Sequence, residues 1–340
     1  MRIDLRSDTV TRPTTGMLET MLNAKVGDDV FNEDPTVIAL EEKAAKLFGK
    51  QAGLFCPSGT MTNQIAVKVH TNPANEIICS RLAHVYNYEG GGMAFNSGVS
   101  IRMIEGNRGR FTAKDVLENI NPTDDVHFPL TKLVTIENTC NKGGGCYWDI
   151  KDIKDIKEAC DKYGLRLHLD GARLFNALEE TGETPEEYGQ LFDSVSICLS
   201  KGLGAPVGSL LLGTKDFIWE ARRTRKLLGG AMRQAGYLAA AGIYAMDNHI
   251  ERLKEDHQRA QQIGEMVEVL PYVEELLPIE TNIVIFRLND SISSADYLKA
   301  LEEKGIIAVQ MAPQLIRFVT HLDFTDEMLE KLPEILKNAI

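Results

Sequence analysis

The sequence predicts an α/β protein in which a large domain with a mainly parallel central sheet, flanked by helices, is followed by a small α+β domain. Three observations carry this expectation. Short apolar runs alternate with amphipathic stretches along most of the chain, as strands joined by helical crossovers require. Several runs end in polar groups, where the strands of an open sheet present a ligand site. The last stretch has its own strand and helix patterns and reads as a separate unit.

Residues 35–49 read as an amphipathic helix with Pro35 at its start and Gly49 at its end. Residues 52–64 give a short strand, a tight turn and a helix start. Strands follow at 76–79, 101–104 and 132–137, with helices at 84–93, 113–120 and 150–163. Two apolar runs, 165–170 and 195–200, end at Asp170 and Ser200, and 209–213 returns after them as a strand. From 216 to 266 the pattern is helical and Ala-rich, broken once at Gly229 and Gly230. Strands at 282–287 and 315–320, a helix at 294–304 and a terminal amphipathic helix make the small domain. The expected boundaries are 1–30 for an N-terminal segment contributing to the active site, 31–245 for the large cofactor-binding domain and 246–340 for the small domain. No repeat or low-complexity segment interrupts this plan.

At 340 residues, 44% hydrophobic and 25% charged, the chain can bury a substantial core. A formal net charge of −12 argues against nonspecific binding to nucleic acid or anionic membranes. The 6 cysteines are dispersed without a Cys-x-x-Cys pair and read as free thiols of a cytoplasmic enzyme. The N-terminus lacks the apolar core of a signal peptide, and no apolar run reaches the roughly 18 residues of a membrane span.

Lys201 closes one apolar run and opens a small-residue loop. A lysine there can snorkel to solvent, or its neutral amine can form a Schiff base with an aldehyde. Asp170 closes the preceding run, and the carboxyl ends of parallel strands can bring the two together. Pyridoxal phosphate needs that pair, a lysine for its aldehyde and a carboxylate to keep the pyridine nitrogen protonated. Ser58, Gly59 and Thr60, where a strand turns into a helix, either bind a phosphate or merely cap the helix. A lone histidine is usually structural, but His84 against a cofactor ring would position it and relay protons. Tyr88 and Glu89, one helical turn on, either support His84 or lie on the surface. Arg173 and Arg317 are candidates for a bidentate grip on a substrate carboxylate. Arg317 is the stronger, because a charge inside the apolar run 315–319 must be paired or functional.

Asp4-Leu-Arg-Ser-Asp-Thr-Val-Thr11, Pro57-Ser-Gly-Thr-Met61, His168-Leu-Asp-Gly-Ala-Arg173, Leu199-Ser-Lys-Gly202 and Met232-Arg-Gln-Ala-Gly236, with blocks 26–30 and 136–139, occur in order along nearly the whole chain. Together they resemble the low-specificity L-threonine aldolases, pyridoxal-phosphate enzymes of the aspartate-aminotransferase-like fold (fold type I) within the β-eliminating lyases. The resemblance implies that Lys201 holds the cofactor, Asp170 pairs with its ring nitrogen, His84 stacks on it and Arg173 lies beside it. It implies a phosphate site of Ser58, Gly59 and Thr60, joined by Arg233 from a neighbouring subunit. Ser7, Arg173 and Arg317 would hold the substrate carboxylate, with Tyr88 and Glu89 also on the substrate side and His127 near the β-hydroxyl.

The implied reaction is retro-aldol cleavage of L-threonine or L-allo-threonine to glycine and acetaldehyde, with His84 or His127 as the base, directly or through water. A homo-oligomer, as a dimer of dimers, is implied as well; nothing has metal-ligand spacing, so no metal ligands are assigned, while a structural cation of the kind some family members bind stays open. Phe31, Asn32 and Cys140 stand where family members commonly carry tyrosine, glycine and histidine, which bears on aldehyde size and on the choice between threonine and its allo form. The alternatives are a related pyridoxal-phosphate lyase or racemase, and a noncatalytic scaffold that keeps the fold.

Overall fold

The computed structural model describes residues 2–338 and begins with a short strand, β1 (Ile3–Asp4), and the helices α1 (Thr15–Leu22) and α2 (Pro35–Leu47). Asp34 caps α2 by accepting from the Thr36 and Val37 N–H groups, and Pro35 fits the first turn, where no N–H is needed. In order, β2 (Ala52–Cys56), α3 (Gly59–His70), β3 (Glu76–Ser80), α4 (His84–Asn87), α5 (Gly92–Ser97), β4 (Ser100–Ile104) and α6 (Ala113–Glu118) follow. Then come β5 (Thr131–Glu137), α7 (Ile150–Tyr163), β6 (Arg166–Gly171), α8 (Leu174–Thr181), α9 (Pro185–Leu191), β7 (Ser194–Cys198) and β8 (Ser209–Gly213).

These strands build a 7-stranded sheet in the order β2-β8-β7-β6-β5-β3-β4. The run β7-β6-β5-β3-β4 is parallel throughout, and β8 pairs antiparallel with both β7 and β2. The chain adds β4 on one side of β3 and then crosses to place β5 on the other, so a crevice opens beyond the carboxyl ends of the strands at that switch.

Three helices, α10 (Lys215–Leu227), α11 (Gly236–Asn248) and α12 (Leu253–Glu268), lead into β9 (Val273–Leu276), β10 (Ile283–Leu288), α13 (Ser294–Glu303), β11 (Ile306–Ile307), β12 (Val309–Ala312), β13 (Leu315–Val319) and α14 (Asp326–Lys337). A 4-stranded antiparallel sheet, β12-β13-β10-β9, forms there. Its core gathers Phe286, Tyr297, Phe318 and Leu332 and also takes in Ile3 and Leu5 from the start of the chain. β1 pairs with β11, and the Val319 N–H donates to the Leu5 carbonyl at 2.9 Å. The residues that follow, from Arg6 to Asp8, are thereby held at the border of the large sheet's own core, which includes Phe48, Phe55, Trp148 and Leu210.

Two expectations are corrected. The helix over 84–93 is two short helices: α4 stops at Asn87 with Tyr88 as its C-cap, and Gly90 (φ 62°) and Gly91 (φ 74°), in left-handed conformations, separate it from α5, whose N-cap is Gly91. The helical stretch after residue 216 is broken twice, at Gly229 and again between α11 and α12, whose bounds are Asn248 and Leu253. Asn32 sits at φ 61°, which glycine adopts freely and asparagine tolerates, so this departure keeps the turn. No helix among the described residues is long and apolar enough to cross a membrane.

Candidate active site

At the carboxyl edge of the sheet, Ser58, Gly59, Thr60, Asn63, His84, Asp170, Ala172, Cys198, Ser200 and Lys201 line a cavity of about 130 Å³. Asp170 comes from β6 beside Glu137 of β5, while Lys201 follows β7 in a turn closed by the Gly204 N–H on its carbonyl at 2.8 Å. Asp170 is buried, and its carboxylate accepts from Asn63 Nδ2 at 2.9 Å and from the Ala172 N–H at 3.2 Å.

Asn63 also donates to Glu89 at 2.8 Å, so its amide faces two carboxylates and its oxygen must accept from His168 Nε2, 3.1 Å away. His168 therefore carries a proton on Nε2, and because burial pushes its pKa down to about 4 the ring is neutral and its Nδ1 accepts from Ser194. A rigid neutral layer thus lies behind Asp170.

His84 stands over this layer. Its Nδ1 lies 3.0 Å from Glu89, and one atom each of His84, Glu89 and Asp170 fall within 4.8 Å of one another. Burial works against a charged His84, but the Glu89 hydrogen bond and the Asp170, Glu89 and Glu137 carboxylates prevail and raise its pKa. Glu89 is itself buried and receives Gln64 Nε2 at 2.6 Å. It therefore supports His84, whereas Tyr88 is 47% exposed with its ring 5.5 Å from that of His84.

Ser58 caps α3, accepting from the Met61 N–H at 3.2 Å, and also lines the cavity, so the cap does not take it away from the site. A Cβ on Gly59 would come within 2.6 Å of Cys198 Sγ, which makes the first turn of α3 a cradle open only to glycine. A buried carboxylate, a histidine, a lysine and a helix N-terminus around one cavity fit a planar pyridinium bearing an aldehyde and a phosphate.

Arg173 and Arg317 are both buried. Arg173 is held by Asp8, next to Ser7, through two contacts of 2.7 Å, leaving Nη1 without a hydrogen-bond partner among the described residues. Arg317 of β13 donates to the Asn141 side-chain oxygen at 2.7 Å and to the Arg6 carbonyl at 2.8 Å, and has no carboxylate partner among the described residues. Burial and the nearby Arg173 push its pKa down to about 10.

Of the residues the sequence singled out, Ser7, Tyr88, Glu89, Arg173 and Arg317 do not line the cavity, and His127 and Arg233 are held on the surface of their own chain. His127 lies on a loop, its side chain 85% exposed and bound to Asp125, and Arg233 pairs with Asp28 at 2.9 Å on the surface. Phe31 is 69% exposed, while Cys140 is buried and donates to the Glu137 carbonyl at 3.1 Å. Asn63, Glu137, Asn141 and Asp8 carry contacts that the sequence reading assigned to no role, although all four lie inside or next to blocks it singled out.

Residues 4–291 match the family model of the beta-eliminating lyases. A low specificity L-threonine aldolase of Escherichia coli is 43% identical over 333 residues, 97% of each chain. A probable low-specificity L-threonine aldolase of Arabidopsis thaliana is 40% identical, covering 96% of this chain and 94% of that one. Among solved structures, Leishmania major threonine aldolase superposes with a TM-score of 0.85 at 21% identity over 98% of both chains. Sphingomonas wittichii serine palmitoyltransferase gives 0.77 at 16% identity, covering 99% of this chain and 87% of that one, and so shares the fold. Its sequence and the matched extent place the chain in the beta-eliminating lyase family, among the low-specificity L-threonine aldolases.

Proposed function

We propose that this protein is a pyridoxal-phosphate-dependent aldolase that cleaves L-threonine or L-allo-threonine, and other β-hydroxy-α-amino acids, to glycine and an aldehyde. The observation that carries this reading is the convergence of Lys201, Asp170 and His84 on one cavity. When bound, the cofactor supplies an electron sink for the pair released as the Cα–Cβ bond breaks. Lys201 would hold its aldehyde carbon, Asp170 a proton on the ring nitrogen, and Ser58, Gly59 and Thr60 its phosphate.

Arg317, with no carboxylate of its own, binds the substrate carboxylate, and Ser7 and the free Nη1 of Arg173 complete that side. Gripping the carboxylate orients the substrate about its Cα and sets which bond lies perpendicular to the ring. His84 donates Nδ1–H to Glu89 and keeps Nε2 to take the β-hydroxyl proton; its raised pKa makes it a better acceptor. His127 and Arg233, outside their own cavity, would act on a neighbouring subunit of a homo-oligomer. Buried free thiols are consistent with a cytoplasmic enzyme.

The test is to supply holoprotein with L-threonine or L-allo-threonine and to read the aldehyde with a coupled dehydrogenase, running wild type beside Lys201→Ala. Aldehyde from wild type alone supports the reading. Racemised alanine without aldehyde from any β-hydroxy substrate would overturn it.

A further inference from the structure

Glu137 ends β5 and is buried between the two sides of the site, yet no step above uses it. One carboxylate oxygen accepts the His84 main-chain N–H at 2.7 Å, and the other accepts the Asn141 main-chain N–H at 2.9 Å. Asn141 in turn presents its side-chain oxygen to Arg317 Nη1 at 2.7 Å. Arg317 Nε has no hydrogen-bond partner among the described residues.

The chemistry of this chain of contacts is specific. Arg317 is oriented only by neutral oxygens, those of Asn141 and Arg6, so its charge stays available for a substrate. A carboxylate at 137 accepts on both oxygens, whereas a glutamine of the same shape would turn an NH₂ group against one of the two N–H donors. From the geometry we infer that Glu137 is a positioning residue of the aldolase reaction, tying the ring-facing His84 to the carboxylate-binding Arg317 through Asn141. The inference rests on the aldolase reading and extends it to a residue that touches neither cofactor nor substrate.

Burial, followed by the Asp170 carboxylate, pushes the pKa of Glu137 up to about 7. The titratable and charged groups around it are Asp170 on β6, His84 on α4, Arg173 at the start of α8 and Cys140 beyond β5. Both acceptors are secured only when Glu137 is ionised, so its protonation below that pH loosens Asn141 and with it Arg317.

The experiment compares holoenzyme of wild type, Glu137→Gln, Asn141→Ala and Arg317→Lys in steady-state cleavage of L-threonine across pH, with cofactor loading and the urea midpoint as controls. Wild type should show KM rising as the pH falls through about 7, a limb that Glu137→Gln removes. Glu137→Gln and Asn141→Ala should each raise KM about tenfold, with a smaller change in kcat, as weakening a charge-assisted contact requires. A wild-type pH profile retained in Glu137→Gln, with KM unchanged, overturns the inference. If Glu137→Gln fails to load cofactor, Asn141→Ala decides, and an unchanged KM there overturns it equally. Failure of wild type to release aldehyde would instead sink the aldolase reading, and is seen before any variant is made.

Discussion

Asp8 and Arg173 meet fork to fork, with Arg173 Nε and Nη2 each 2.7 Å from a different carboxylate oxygen and both side chains buried. Among the described residues the 3 buried arginines are Arg173, Arg225 and Arg317; the first two pair with Asp8 and Asp29, and the third has no carboxylate partner. Because Asp8 sits just past a strand of the small sheet's core and Arg173 opens α8, the pair also joins the two cores beside the cavity.

Asp8→Asn should therefore destabilise the fold by about 3–5 kcal/mol, the usual result of leaving a buried guanidinium uncompensated. Burial alone would raise the Asp8 pKa, but Arg173 outweighs it and holds the folded value below the ordinary 3.8. A carboxyl depressed on folding stabilises above its unfolded pKa and loses that contribution only as the pH falls below 3.8 through the folded value. Urea midpoints of wild type and Asp8→Asn should thus differ at neutral pH and converge in strong acid; equal midpoints at neutral pH would show that the pair contributes nothing.

Arg317→Ala should raise KM for threonine by about 10- to 100-fold, since a charge-assisted bidentate contact disappears from both bound and transition states. Arg317→Lys keeps the charge but loses the fork and should fall between. The check is a KM series at saturating cofactor, where an unchanged KM in the alanine variant would remove Arg317 from the substrate site.

Glu89→Gln should move the acid limb of kcat/KM to lower pH. His84 owes its raised pKa first to overcoming burial, and the Glu89 hydrogen bond is the leading upward influence. With that charge gone the ring loses its proton at lower pH, so the neutral acceptor persists further into acid, while the rate maximum falls because a weaker base takes the proton. A profile whose acid limb stays in place would assign that limb to another group.

Lys201 and Asp170 are legible in sequence because a charge that closes an apolar run has no cheap structural explanation, and parallel topology then brings such ends together. Arg317 is legible because a charge inside an apolar run must be paired or functional. Asn63, Glu137 and Asn141 are not, because an amide inside a helix, or a glutamate or amide at or just past a strand end, is ordinary until register and rotamer set its partners. Asp8 pairs with a residue 165 positions away, and no local spacing records that. His127 and Arg233 show a different limit, since the resemblance puts them in the site while a single chain carries them on its surface.

Gly59→Ala should weaken cofactor binding without unfolding α3. Alanine is the better helix former, so the helix itself gains, but its Cβ would lie 2.6 Å from Cys198 Sγ and 3.5 Å from Ser209 Oγ. The first contact is impossible and the second ordinary, so the helix start must shift away from β7, carrying the phosphate-facing N–H groups with it. Cys198 is buried and receives Ser209 Oγ at 3.3 Å, so it cannot swing aside easily. Removing the sulfur relieves the clash: Gly59→Ala with Cys198→Ala should recover most of the affinity that Gly59→Ala loses, as read by titrating apoprotein with pyridoxal phosphate. If the double variant binds no better than the single one, the glycine is required by the phosphate itself rather than by the sulfur behind it.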